Sequence, residues 1–137
     1  MNYVLLARMA ELKGLPAKAA TFGQHASRIR NAYNEALFNL ETATYSRGSQ
    51  TSMALPLSMG IVEEEYREQV LRNLEDSIKA GGLVLTAGDI GFHYLVDALT
   101  KEGKSQLLYD MNNRDDVPGY GYQLRMGATA LTESWQA

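Results

Sequence analysis

Along most of the chain, apolar residues return every third or fourth position, the spacing that places them on one face of an α-helix. In residues 2 to 13, Leu5, Met9 and Leu12 share a face. Gly14 closes that segment, and Pro16 stands where a new helix would open. From about Pro16 to about Leu40, Phe22, Ala26, Ile29, Tyr33, Leu37 and Leu40 recur opposite a polar face of Lys18, Gln24, Arg28, Asn31 and Glu35. A polar connection over 41 to 48 ends in Arg47-Gly48, and Ser49 is placed to cap a third helix reaching Met59. That helix is apolar nearly all round (Met53, Ala54, Leu55, Leu57, Met59), so it should be buried on all sides, with Pro56 kinking or limiting it.

The fourth helix opens on Glu63-Glu64-Glu65 and ends near Lys79, before Gly81-Gly82, a charge order that suits the helix dipole. Tyr66, Val70, Leu74 and Ile78 fall on one stripe, with Leu71 beside them. Leu83 to Thr86 could run extended, Asp89 should cap a fifth helix to about Thr100, and Ser105 a sixth to about Asn112. Near the C-terminus, Pro118-Gly119-Tyr120-Gly121-Tyr122-Gln123-Leu124 mixes glycine with aromatics and reads as a loop or short strand. Thr132-Glu133-Ser134-Trp135 could start another helix, with Thr132 as its cap.

Helix, short turn, helix, longer loop is the grammar of antiparallel helix pairs, which stack into bundles, solenoids or closed α/α toroids. The expected fold class is therefore mainly α, in one domain spanning 1 to 137, with a short extended segment near the C-terminus. Its 137 residues suffice for a real core. A net charge of -3 with no basic stripe argues against a nucleic-acid surface. No apolar run approaches the ~18 residues of a membrane helix, and the N-terminus lacks the charged region of a signal peptide. The absence of cysteine excludes disulfides and thiolate metal sites.

Few side chains suggest chemistry. Glu133 follows Thr132 and precedes Trp135, and a carboxylate held ionised in a first helical turn beside aromatics suits a general base. Taken alone, it fits an ordinary surface glutamate better. Tyr120 and Tyr122, flanked by glycines, have flat rings able to stack on a sugar or simply to pack a turn. Trp135 allows the same two roles. Asp89 and His93, four apart, share a helix face, either as an acid–base or metal pair or as a cap and a polar wall residue. With two histidines and no cysteine a zinc site is not expected, nor is any cofactor.

Several ordered stretches resemble the α-L-rhamnosidases of glycoside hydrolase family 78. They are Gly48-Ser49-Gln50-Thr51 with Ala54-Leu55-Pro56-Leu57, then Gly60-Ile61-Val62, then Leu85 to Gly91 followed by Tyr94-Leu95. Pro118 to Tyr122, and Gly127-Ala128-Thr129 leading to Glu133 and Trp135, complete the set. The resemblance implies a partial (α/α)6 barrel and hydrolysis of terminal α-L-rhamnose with inversion. It implies that Glu133 is the general base and that Tyr120, Tyr122, Asp89, His93 and Trp135 line the sugar site. Tyr120 stands where many members carry tryptophan, and the family's general acid has no counterpart in residues 1 to 44. On this reading the chain is a fragment, inactive alone, of a periplasmic or extracellular parent. Its partners would be a rhamnose-containing carbohydrate and, through helix faces that lack their neighbours, further copies of itself. A non-catalytic helical scaffold and an α/α-barrel glycosidase for another sugar are the alternatives.

Overall fold

A computed structural model describes residues 2–132 together with Ser134 and Trp135. The chain falls into two compact units, the first ending at Phe38 and the second starting at Asn39.

The first unit is a helical hairpin. Helix α1 (Asn2–Leu12) turns back into α2 (Pro16–Leu37), which has Pro16 in its first turn. The turn is built on Gly14, whose φ of 65° is a conformation that costs a side-chain-bearing residue. Leu15 N–H donates to Ala10 O and Gly14 N–H to Glu11 O, each at 2.9 Å, satisfying carbonyls left open by the helix end. Tyr3 and Ala10, seven residues apart, share one face of α1. Tyr3 lies against Phe22 and His25 of α2, at ring separations of 6.2 and 5.1 Å, and Ala10 is buried. The stripe read from the sequence, Leu5, Met9 and Leu12, lies on the other side and is exposed. Helix α1 is apolar on both sides, so periodicity picked out the face that α2 does not cover. In α2, Phe22, Ala26 and Tyr33 are half-buried, while Ile29 and Leu37 are exposed.

Beyond α2, β1 (Phe38–Asn39) pairs with β2 (Thr44–Tyr45) in a two-residue ladder. The Asn39 side-chain carbonyl accepts from the N–H groups of Glu41 and Thr42 and shapes the intervening turn. Thus the second helix stops at Leu37 rather than Leu40, and the strands among the described residues lie here.

The second unit is organised around α3 (Gln50–Ser58). Ser49 caps it, its hydroxyl accepting from Ser52 N–H at 3.2 Å. Gln50, Met53, Ala54, Pro56 and Leu57 are all buried, as expected of a helix without a polar face. It packs against α4 (Glu64–Ala80) and α5 (Asp89–Lys101). Helix α4 turns Val70, Leu71, Leu74 and Ile78 inward, as its stripe predicts, and α5 contributes Leu95, Ala98 and Leu99. Each fully buried leucine or isoleucine contributes roughly 1.5–3 kcal/mol relative to exposure. Helix α6 (Ser105–Asn112) adds Leu107 and Met111.

Gly91 lets α3 and α5 approach closely. A Cβ there would lie 2.0 Å from Thr51 Oγ1 and 3.0 Å from Thr51 Cβ and Cγ2. Threonine is stiff at χ1 and cannot swing aside freely. The helix ends repeat the bonding of the first turn: Ile61 N–H donates to Pro56 O, Leu83 N–H to Ile78 O, and Lys104 N–H to Leu99 O. The last helix, α7 (Tyr120–Arg125), occupies the stretch expected to be loop or short strand. That corrects the expectation for this stretch. Glycines at 119 and 121 suggested an extended turn, but close packing requires Gly121, whose Cβ would sit 2.3 Å from Arg114 O. Residues 83–86, read as able to run extended, belong to no strand.

Ion pairs tie the outer surface together. Arg67 of α4 pairs with Glu102 at the end of α5, and Ser58 Oγ donates to Asp97, which also holds Lys101 at 2.7 Å. Buried Glu75 receives Lys104 at 2.7 Å and Lys79 at 3.5 Å. Burial pushes its carboxyl up, but hydrogen bonds and charge from Lys104 and then Lys79 outweigh this and hold it below the ordinary value.

Two outcomes follow from this packing. Gly91→Ala gains helix propensity of up to ~1 kcal/mol but overpacks the α3–α5 contact by ~1–3 kcal/mol, so urea unfolding should show a net loss of about 1–2 kcal/mol. Glu75 has a folded pKa below its unfolded one, so its contribution is present above the ordinary value of 4.5 and is lost as pH falls through and below it. Stability measured from about pH 6 down to about pH 3 should therefore fall less steeply in Glu75→Gln than in the native chain.

Candidate active site

Within the second unit, three aromatic rings converge. Phe92 lies in the first turn of α5, Tyr120 opens α7, and Trp135 follows in the C-terminal segment. Ring centroids are 4.9 Å apart for Phe92–Trp135, 5.0 Å for Tyr120–Trp135 and 5.7 Å for Phe92–Tyr120. All three contacts are edge-to-face, at 68°, 83° and 78°, the arrangement that ring quadrupoles favour. The indole N–H of Trp135 donates to Ala87 O at 2.7 Å. That hydrogen is thereby committed, and Trp135 has its ring surface to offer a ligand.

These rings border an open cavity of about 300 Å³, lined also by Asp89, Gln123, Leu131 and Thr132. Its size is at the lower end for small-molecule sites, and its mixture of apolar walls with a few polar groups is typical of them. Two helices each supply an i, i+3 pair: Asp89 with Phe92 from α5, and Tyr120 with Gln123 from α7. Gln123 is buried, and its amide Nε2 donates to Ser134 O at 3.1 Å, fixing the segment that carries Trp135. Asp89 is exposed at the rim, where an ionised carboxylate remains solvated and able to accept from a hydroxyl.

The fold thus brings Asp89, Tyr120 and Trp135 to one cavity. Neither His93 nor Tyr122 lines it. His93 is exposed on α5, with its ring against Tyr94 at 5.5 Å. Tyr122 is half-buried on α7, two residues from Tyr120 and hence on a different side of the helix. Asp89 is not the cap of α5: Gly88 occupies that position, and Asp89 takes the first helical one. The Thr132 hydroxyl donates to Ser134 O at 2.6 Å. Glu133, the residue read as the base, lies outside the described residues. Phe92 and Gln123 were missed in the sequence. Their signal was the three-residue spacing from Asp89 and from Tyr120, which reads equally well as ordinary helix packing.

Residues 2–137 match the family described as the bacterial alpha-L-rhamnosidase 6 hairpin glycosidase domain, and the chain belongs to that family. Its relatives include an alpha-L-rhamnosidase of Formosa agariphila, 26% identical over 97% of this chain and 14% of that protein. An alpha-L-rhamnosidase of Streptomyces avermitilis is 29% identical over 97% of this chain and 13% of its own length. Among solved structures, the alpha-L-rhamnosidase from Dictyoglumus thermophilum superimposes with a TM-score of 0.88 at 30% identity, covering 97% of this chain and 15% of that one. The Streptomyces avermitilis alpha-L-rhamnosidase complexed with L-rhamnose gives the same TM-score at 28% identity, over 97% of this chain and 13% of that one. The chain therefore spans about a seventh of the length of these relatives. The mainly helical fold expected from the sequence, part of an (α/α)6 barrel, agrees with these matches.

Proposed function

We propose that residues 1–137 are one continuous piece of the catalytic domain of an inverting α-L-rhamnosidase, hydrolysing terminal α-L-rhamnose from glycans or glycosides. The observation that carries this reading is the convergence of Phe92, Tyr120 and Trp135 on a cavity with Asp89 at its rim. Deoxysugars present an apolar face and a set of hydroxyls. Aromatic walls suit the first, and a carboxylate acceptor suits the second. Family membership and the naming of its relatives as alpha-L-rhamnosidases support the choice of sugar.

In this proposal Glu133 is the general base. Thr132 and Trp135, which flank it in sequence, both line the cavity. An inverting glycosidase places two carboxyl groups about 6.5–9.5 Å apart. One protonates the leaving oxygen while the other deprotonates the attacking water. The acid is assigned outside residues 1–137, and His93 and Tyr122 are assigned to sugar contacts made further from the cavity floor. The large apolar residues exposed on α1, with Val4 at 58%, Met9 at 61% and Leu12 at 75%, support self-association of the isolated chain.

Glu133→Gln in the complete protein should lower kcat on an aryl α-L-rhamnoside by about 10²–10⁴-fold. The isolated chain should show no detectable turnover. Native-level activity in either case would overturn the assignment of base and acid. Light scattering of the isolated chain should give a mass above that of the monomer, and a clean monomer would contradict self-association.

A further inference from the structure

The segment that the aromatic site rests on, residues 84–88, belongs to no helix or strand, so its backbone polar groups need partners from elsewhere. One side chain supplies partners for three of them. Gln50, in the first turn of α3 and only 6% exposed, reaches across 34 to 37 positions of sequence. Its Nε2 donates to Val84 O at 2.8 Å, and its Oε1 accepts from Thr86 N–H at 3.0 Å and Ala87 N–H at 3.1 Å. Both lone pairs of the amide oxygen are thus used, and its orientation is fixed by the donor on the other side.

Each ring of the site hangs from the segment so held. Ala87, fully buried, carries the carbonyl to which the Trp135 indole donates. Gly88, the next residue, caps α5, and Phe92 N–H donates to Gly88 O at 2.8 Å. Leu85 N–H donates to Pro118 O at 3.4 Å, joining the segment to the loop that leads into Tyr120. We propose that Gln50 is the positioning residue of the aromatic site: its amide sets the 84–88 backbone, and that backbone sets Trp135 and, through Gly88, Phe92. Gln50 does not line the cavity and acts through the segment. Its bearing on sugar binding rests on the function proposed above, while the juxtaposition itself does not.

The test uses the 137-residue chain without sugar, in which Trp135 is the only tryptophan and intrinsic fluorescence reports on it alone. Gln50→Met keeps length and burial but loses all three bonds. Gln50→Glu keeps the two accepted bonds and loses the one to Val84. The control is Asn73→Ala, which removes bonds to Thr42 O and Ala43 O, a similar clamp remote from the site. In folded protein, judged by circular dichroism, the emission of Gln50→Met should move to longer wavelength and become more easily quenched by acrylamide. Gln50→Glu should move the same way by less, and Asn73→Ala not at all. If Gln50→Met does not fold, Gln50→Glu against Asn73→Ala decides. Native emission and quenching in the folded Gln50 variants, or an equal shift in Asn73→Ala, would reduce Gln50 to a structural residue and overturn the proposal. Because no sugar is present, failure of this test is distinct from failure to bind rhamnose.

Discussion

The second unit depends on how closely α5 can lie on α3. Where Thr51 meets Gly91, any side chain on α5 would occupy the space of a branched side chain on α3. One residue before Thr51, Gln50 reaches the segment that launches α5. The close approach and the amide clamp are therefore parts of one constraint. If the helices were pushed apart, the amide would lose its grip on 84–88. Were the clamp lost, the start of α5, with Asp89 and Phe92 on it, would be free to drift. Apolar burial of Met53, Leu57, Leu95 and Leu99 supplies the driving force, but it is non-directional. The directional bonds decide where the rings end up.

Much of this plan was legible in the sequence, for reasons that differ by element. Helix α4 was the clearest, because its stripe, its acidic start and its basic end all agree. Helix α3 could be read as buried because it has no polar face. The turns were visible as glycines, since one bonding pattern closes α1, α3, α4 and α5. The failures are equally physical. In α1, two apolar faces compete and periodicity favoured the uncovered one. In α7, glycine was taken for extended backbone, although Gly121 is there to let the helix lie against Arg114 O.

The site was only half legible. Asp89, Tyr120 and Trp135 stood out as chemistry-bearing residues, and the fold does gather them. Phe92 and Gln123 looked like packing. Gln50 was noticed only inside a motif, because a glutamine bonding to a segment more than thirty residues away leaves no periodic trace. Long-range polar contacts of this kind specify geometry without altering the hydrophobic pattern, which is why they escape a reading based on that pattern.

On the function proposed above, the Phe92–Tyr120–Trp135 cavity receives an L-rhamnosyl residue. A crystal structure of the complete protein with L-rhamnose tests it most directly. The sugar ring should lie against the faces of Tyr120 and Trp135, with a hydroxyl donating to the Asp89 carboxylate. A sugar bound elsewhere, with this cavity empty, would contradict it.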